Sequence, residues 1–257
     1  MKVLLKIAYV GTAYCGYQVQ PNGVTVQEKL NAATRAVFGV DCDVVGCSRT
    51  DSGVHARGFC VAITEKGKSN LNTSIPMARL PRALNVHLPD DIAVLDAITV
   101  PEDFHPRYGV HSKEYEYVIY NAPERDPFRI SRVWHIGRRF TDEEVSAMNR
   151  AAAAFVGEHD FTGLRDGDDD KDPVRVVYAA SVQRRGDDVV FTVRANGFLY
   201  HMVRVMTGAL VEVGRGKIAP EEMAERIAAG DRRLFGVTAP ADGLYLSRVF
   251  YPEKYFE

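Results

Sequence analysis

The chain has 257 residues, of which 46% are hydrophobic and 26% are charged, and its formal net charge is −2. These shares are those of a soluble globular protein, and the length suffices for one large domain or two of ordinary size. Because the net charge is close to zero, an RNA-binding surface would need a local concentration of Lys and Arg. The four cysteines include no C-x-x-C pair, and no apolar segment reaches membrane-spanning length. We therefore expect a reduced, cytoplasmic protein.

The first half of the chain alternates strand and helix patterns. Strands are predicted at residues 3–9, 43–47, 59–64 and 92–98, and helices at residues 25–38 and 76–84. In the longer helix one face is apolar, formed by Val26, Leu30, Ala33 and Val37. The order β-α-β-β-α-β is that of a ferredoxin-like domain.

The second half also alternates strands and helices. Strands are predicted at residues 115–119, 133–136, 174–182, 189–195 and 244–250, with every second residue from Val174 to Val182 on one face. Helices are predicted after a capping box at Thr141, after Asn196 as far as Gly214, and from Pro220 to Ala229. The predicted fold class is α+β, with antiparallel sheets in two ferredoxin-like (RRM-like) halves, residues 1–104 and 105–257.

The most informative segment is Cys47–Ala56, which reads C-S-R-T-D-S-G-V-H-A. In an extended backbone residues two apart point the same way, so Arg49 and Asp51 can face one cleft together. A neighbouring guanidinium favours the ionised carboxylate, and an anionic Asp51 suits a nucleophile or base. A surface ion pair that stabilises a turn is the alternative, which an arbitrary Arg-x-Asp pattern favours.

Two groups of basic residues are candidates for binding an anionic ligand. His201 and Arg204 are three apart on a predicted helix, and Arg194 lies on the preceding strand. Arg79 and Arg82 form a smaller cluster in the first half. A polar flank that faces water explains both groups equally well.

Tyr115 and Tyr117 are two apart on a predicted strand and therefore face the same side. Burial in the core is the usual role of such tyrosines. A tyrosine can also stack on a nucleobase and transfer a proton, and aromatic residues on a sheet are one way in which single-stranded RNA is bound.

The sequence predicts no metal site. The acidic segment Asp166–Asp172 departs from the EF-hand pattern, because Lys171 stands where glycine is required and Val177 where the final glutamate is required. A solvated acidic loop is the expected structure.

Several ordered blocks give the chain a resemblance to a known family. They include Gly11–Gln20 (G-T-x-Y-x-G-Y-Q-x-Q), Arg49–Ala56, Phe104–Arg107, Lys113–Tyr117, Phe198–Arg204 and Gly214–Lys217. Together they resemble the TruA-type tRNA pseudouridine synthases over nearly the whole chain. Val10 and Tyr17 depart from the family pattern, which usually has Asp and Trp there.

The resemblance implies roles for four residues. Asp51 would be the catalytic aspartate that attacks during isomerisation of uridine to pseudouridine, at either ribose C1′ or the uracil ring. Tyr115 would lie against the target base, Arg204 would pair with the aspartate, and Arg49 would assist base flipping.

The resemblance also implies a substrate and an assembly. The substrate would be uridine in the anticodon stem-loop of tRNA, on the 3′ side of the anticodon, bound by a homodimer. The two halves would form a pseudouridine synthase core with a central cleft, and the chemistry would need no metal or redox cofactor. Local Lys and Arg, with His201, Arg194, Arg79 and Arg82 as candidates, would contact the phosphates.

Two other functions remain open from the residues alone. A non-catalytic RNA-binding protein with two RRM-like domains would need the basic and aromatic residues but not Asp51. A glycoside hydrolase would usually need a second carboxyl group about 5–10 Å from the first, and the loop supplies only one.

Overall fold

The structure, a computed structural model, describes residues 1–167 and 172–255. The chain forms two compact units, the first comprising Met1–His111 and the C-terminal segment from Tyr245, the second Ser112–Leu244. The C-terminal segment belongs to the first unit because its residues Tyr245 and Leu246 pair with His55 and Ala56. The domain boundary predicted after residue 104 remains a prediction; the compact units change between residues 111 and 112.

The regular elements follow the order predicted from the sequence, with one additional short strand. The strands are β1 (Lys2–Tyr9), β2 (Cys42–Gly46), β3 (His55–Glu65), β4 (Ile92–Val100), β5 (Ser112–Tyr120), β6 (Trp134–His135), β7 (Gly157–Asp160), β8 (Val174–Arg185), β9 (Asp188–Ala195) and β10 (Leu244–Phe250). The helices are α1 (Val26–Phe38), α2 (Leu80–Asn85), α3 (Asp142–Ala153), α4 (Met202–Gly214) and α5 (Met223–Ala229). The additional strand is β7. Strands and helices are mixed in both units, and the predicted α+β class is confirmed.

The first unit has the ferredoxin-like strand order. Strand β1 pairs antiparallel with β3 and β4, and β2 pairs antiparallel with β3, so the order is β4-β1-β3-β2. The start of β3 also pairs in parallel with β10. Helix α1 begins after Thr25, whose side chain accepts a hydrogen bond from the Glu28 backbone amide, and it ends at Gly39 in the left-handed conformation.

Both faces of this sheet are covered. On one face the fully buried Leu5, Ile7 and Ile63 lie in the strands, and Leu30 is one of the fully buried residues of α1. On the other face Leu4, Ala62 and Val100 pack with Phe104, and Tyr251 and Tyr255 of the C-terminal segment pack against that cluster. Burial on both faces makes β3 apolar over most of its length.

The strands that follow β4 along the chain also pair mostly antiparallel within the second unit. Its strand order is β5-β9-β8-β7, and β6 pairs in parallel with β5. In β8 the predicted alternation from Val174 to Val182 is wrong, because the register shifts between Val177 and Ala179. This β-bulge leaves Val177 buried and Tyr178 39% exposed.

The helices of the second unit follow the predicted caps with one correction. Thr141 and Glu144 form the predicted capping box at the start of α3. The helix predicted after Asn196 begins only at Met202. Asn196 cannot cap it, because the side-chain oxygen and the backbone amide of Asn196 both bond to Val176 of β8. The helix ends at Gly214, as predicted.

Candidate active-site elements

The loop that carries Asp51 connects β2 to β3 in the first unit. Residues 47–54, called the Asp51 loop below, begin where the Cys47 amide bonds to the Cys60 carbonyl. They end in a tight turn, closed by a 3.2 Å hydrogen bond from the Val54 amide to the Asp51 carbonyl. Asp51 is therefore the first residue of a turn, and its side chain is half-buried.

The Asp51 loop is held on both sides of the carboxylate. The Tyr17 amide donates to the Thr50 carbonyl at 3.3 Å, and the Tyr9 and Thr50 hydroxyl groups bond at 2.9 Å. Beyond Asp51, the Gly53 amide and the Ser52 hydroxyl both donate to the Tyr14 carbonyl. The segment before α1 thus fixes the backbone immediately before and after Asp51.

Two glycines allow this close packing. A Cβ atom on Gly11 would lie 2.0 Å from the Val54 carbonyl oxygen, and one on Gly16 would lie 2.4 Å from the Thr50 carbonyl oxygen. Gly16 also has a φ of +79°, which L-residues with side chains seldom adopt. The two glycines of the G-T-x-Y-x-G block are therefore required by the structure, because they let the backbone contact the Asp51 loop directly.

A buried histidine supports the same contact. His55 is fully buried, and its Nδ1 atom accepts a hydrogen bond from the Gly11 amide at 2.9 Å. The His55 ring stacks on Tyr245, with 4.7 Å between the ring centroids. Because Nδ1 accepts this hydrogen bond, it is the unprotonated nitrogen of the ring. His55 thus has a structural role: it joins the residue after the Asp51 loop to Gly11.

The expected ion pair between Arg49 and Asp51 is not formed. Arg49 is exposed and makes no ion pair with any carboxylate of residues 1–167 and 172–255. Its side chain instead lines a surface pocket with His105, Arg107 and Tyr108. That the two side chains face one cleft remains a prediction.

In the second unit, Tyr115 lies on β5 opposite Val193 of β9. It is 7% exposed, and Phe198 contacts it edge-on with 5.0 Å between ring centroids. Tyr117 is fully buried, and its hydroxyl donates to the Pro240 carbonyl at 2.7 Å. Tyr117 is therefore part of the core, and its burial raises its pKa.

Arg204 lies in the first turn of α4, where two hydrogen bonds join it to the loop that precedes β10. Its Nε atom donates to the Ala239 carbonyl at 2.7 Å, and the Ala239 amide donates to the Arg204 carbonyl at 3.1 Å. The residue just before α4, His201, has a left-handed backbone with a φ of 58°. Its Nδ1 atom lies 2.8 Å from an Asp166 carboxylate oxygen.

Asp166 connects these segments, a role that the sequence did not reveal. Its carboxylate accepts hydrogen bonds from Thr238 at 2.7 Å and Arg232 at 2.8 Å, in addition to His201. Partial burial opposes its ionisation, but the hydrogen bonds from Thr238, His201 and Arg232 outweigh this effect and lower the pKa of Asp166 to about 2. Residues 168–171 of the predicted acidic loop lie outside the described residues.

The other predicted binding residues lie at separate places within the two units. Arg79 and Arg82 are exposed at the start of α2 and within it. Arg194 is half-buried on β9, with its guanidinium carbon 5.8 Å from the centre of the Tyr178 ring.

In the described part of the chain no three His, Cys, Asp or Glu side chains are grouped so that they could hold a metal ion. Among the described helices, none has the length and apolar character needed to cross a bilayer.

Comparison with known proteins identifies the family. Residues 6–109 and 151–252, more than half of the chain, match the family described as tRNA pseudouridine synthase. A protein of Citrifermentans bemidjiense named tRNA pseudouridine synthase A is 43% identical over 98% of both chains. The protein of the same name in Brevibacillus brevis is 46% identical over 95% of this chain and 97% of its own.

A solved structure titled "Crystal Structure of a Cbf5-Nop10-Gar1 Complex" also aligns with the chain. The alignment has a TM-score of 0.36 and 15% identity, and it covers 83% of this chain and 45% of the other. The sequence matches are much stronger, and by them this chain belongs to the tRNA pseudouridine synthase family. Pseudouridine synthases are isomerases, so the predicted family and enzyme class are confirmed.

Proposed function

We propose that the protein isomerises uridine to pseudouridine in the anticodon stem-loop of tRNA, with Asp51 as the nucleophile. The observation that carries the proposal is the Asp51 loop: a carboxylate at a tight turn whose backbone is held on both sides. An attacking group must be kept within a fraction of an ångström of its productive position, and such a loop meets that requirement. The family match supports the reaction, and the named relatives support tRNA as the substrate.

The reaction rearranges bonds within one nucleotide. The bond between uracil N1 and ribose C1′ breaks, the base rotates, and a bond forms between C5 and C1′. The proton at C5 is lost and N1 gains one, so product and substrate are isomers. Asp51 would attack either C1′ or the uracil ring, and the anion would be the reactive form.

The remaining roles come from the family resemblance. Tyr115 would stack on the target base and accept the proton from C5. Arg204 would pair with the carboxylate of Asp51. Arg49, which is exposed and has no ion pair among the described residues, would occupy the space that the flipped uridine leaves.

The RNA would be bound by local positive charge, because the chain as a whole has a net charge of −2. The candidates for phosphate contacts are Arg79, Arg82, Arg194 and His201. Binding through such contacts weakens as salt rises, with a slope that reports the number of phosphates neutralised. We further propose that the enzyme acts in the cytoplasm as a homodimer, which sedimentation of the purified protein would test.

The test is to map pseudouridine in tRNA after incubation with the purified protein. The wild type is expected to convert uridines on the 3′ side of the anticodon, and Asp51→Asn is expected to convert none. Conversion only outside the anticodon stem-loop would contradict the proposed position. Binding of tRNA without any conversion by the wild type would favour the non-catalytic RNA-binding protein instead.

A further inference from the structure

The first unit contains a surface pocket next to the Asp51 loop, and among its lining residues only Arg49 has a role in the proposed reaction. Its volume is about 230 Å³, which is below the roughly 300–1,000 Å³ of sites for drug-sized ligands. We call it the Tyr108 pocket; the residues that line it are Tyr17, Gln18, Gln27, Val45, Gly46, Ser48, Arg49, His105, Arg107 and Tyr108. Asp51 does not line the pocket, so a ligand there would lie beside the Asp51 loop.

An exposed aromatic ring borders the pocket. Tyr108 is 79% exposed, although a tyrosine ring in a globular protein is usually packed on at least one face. The His105 ring lies 4.4 Å from the Tyr108 ring at 33°, and the Arg107 guanidinium carbon is 6.0 Å from the same ring. Much of the Tyr108 ring is therefore available to a second flat group.

The backbone around this ring is held in place before any ligand arrives. The Nδ1 atom of His105 accepts hydrogen bonds from the backbone amides of both Arg107 and Tyr108, at 3.1 and 3.2 Å. Burial, and then the positive charges of Lys2 and Arg107, lower the pKa of His105, which favours the neutral ring that these hydrogen bonds require. A ring presented on a fixed backbone loses little entropy when it binds.

The polar groups of the pocket suit an anion with a base attached. Arg49 and Arg107 supply two guanidinium groups, and none of the described lining residues is acidic. The pocket also includes Tyr17, whose hydroxyl is buried and has no hydrogen-bond partner among the residues that the structure describes. Guanidinium groups bind phosphate oxygens, and an exposed aromatic ring beside them is a surface on which a nucleobase stacks.

We propose that the Tyr108 pocket binds an unpaired nucleotide of the RNA substrate other than the target uridine. The base of this nucleotide stacks on Tyr108, and Arg107 contacts its phosphate. The inference rests on the proposed function, because it takes the substrate to be RNA. A second nucleotide bound beside the Asp51 loop would fix the strand on one side of the reacting uridine and so help to select which uridine reacts.

The test compares pocket variants with matched controls in tRNA binding and in conversion rate. Loss of one stacked base corresponds to a fall in affinity of about 5-fold or more, so Tyr108→Ala should raise Kd and KM by that factor and change kcat little. Tyr108→Phe keeps the ring and should bind as the wild type does. The control is Phe128→Ala, which removes a ring that is 89% exposed and does not line the pocket.

The phosphate contact has its own test. Arg107→Ala should flatten the dependence of log Kd on log salt by about 0.7–0.9, the value for one phosphate on a single strand or duplex. Arg35→Ala removes an equal charge from the surface pair that Arg35 forms with Asp41, and should leave the slope unchanged. Urea unfolding of each variant shows whether the fold is intact. We expect it to be intact, because the Arg107 and Arg35 side chains are both exposed.

The outcomes separate the two proposals. Unchanged tRNA binding by Tyr108→Ala, or an equal loss in Phe128→Ala, overturns the pocket assignment while conversion by the wild type upholds the proposed function. If Tyr108→Phe binds tRNA as weakly as Tyr108→Ala does, the aromatic ring does not provide the affinity. That result also overturns the pocket assignment. A wild type that binds no RNA overturns both proposals.

Discussion

Substitution of Gly16 by alanine should separate the geometry of the Asp51 loop from the stability of the fold. A Cβ atom at position 16 would lie 2.4 Å from the Thr50 carbonyl oxygen, where ordinary contact begins at 3.4 Å, so the loop must move by about 1 Å. Misplacement of a reacting group by that distance can cost about 100-fold in rate. Gly16→Ala also places a side chain at a φ of +79°, which costs about 1–2 kcal/mol.

The matched control is Gly67→Ala. Gly67 has a φ of +75°, but a Cβ atom there would meet no atom within 4 Å. It therefore carries the same backbone cost without moving a neighbour. We expect Gly67→Ala to lower the free energy of unfolding by about 1–2 kcal/mol and to leave kcat unchanged.

The assays are urea unfolding for stability and the rate of pseudouridine formation with saturating tRNA for kcat. Gly16→Ala should lose roughly 100-fold in kcat at a temperature where the variant is fully folded. Wild-type kcat in a folded Gly16→Ala protein would refute the reasoning, because the contact between Gly16 and Thr50 would then not position Asp51. Equal losses of kcat in the two variants would refute it as well.

Two further predictions concern stability. Tyr17→Phe removes the buried hydroxyl without a described partner and keeps the ring stacked 4.3 Å from Phe59, so the free energy of unfolding should rise by about 1 kcal/mol; a fall would contradict this. Asp166→Asn should lose about 1–2 kcal/mol at pH 7, discounted for partial exposure of the carboxylate. Because the folded-state pKa of Asp166 is about 2 and its ordinary value is 3.8, this stabilisation is full above pH 3.8 and is lost as the pH falls through 2. Urea unfolding of the wild type and Asp166→Asn should show that their difference in free energy of unfolding shrinks as the pH falls from 3.8 to 2. A difference that does not change with pH would exclude the ionised carboxylate as its cause.

The structural features that depend on a local residue pattern could be predicted from the sequence. The apolar face of α1 and the capping box at Thr141 are set by residues three or four apart, and both are found in the structure. The ferredoxin-like order of the first unit also followed, because the sequence of strands and helices leaves few ways of covering a sheet. The family could be predicted for a similar reason, since its motifs are short and ordered.

Long-range contacts overrode local pattern where the predictions were wrong. Asn196 has the chemistry of a helix cap, but the neighbouring strand occupies its side-chain oxygen and its backbone amide. In β8 a bulge after Val177, which no residue pattern indicated, reversed the buried face.

Parts of the candidate site could not be found from the sequence. Asp166 is 35 residues from His201 and 72 from Thr238, and no spacing rule joins them. Phe104–Arg107 was visible as a family block, but a role for His105 and Arg107 required the pocket that they line with Tyr108.

The most direct test of the central claim is a single-turnover reaction of Asp51→Asn with tRNA. The substitution removes the carboxylate and keeps nearly the same shape in a loop whose backbone is held by Tyr14 and Tyr17. This variant should fold, bind tRNA with unchanged affinity and form no pseudouridine. Pseudouridine formation by Asp51→Asn at the wild-type rate would contradict the assignment of Asp51 as the nucleophile.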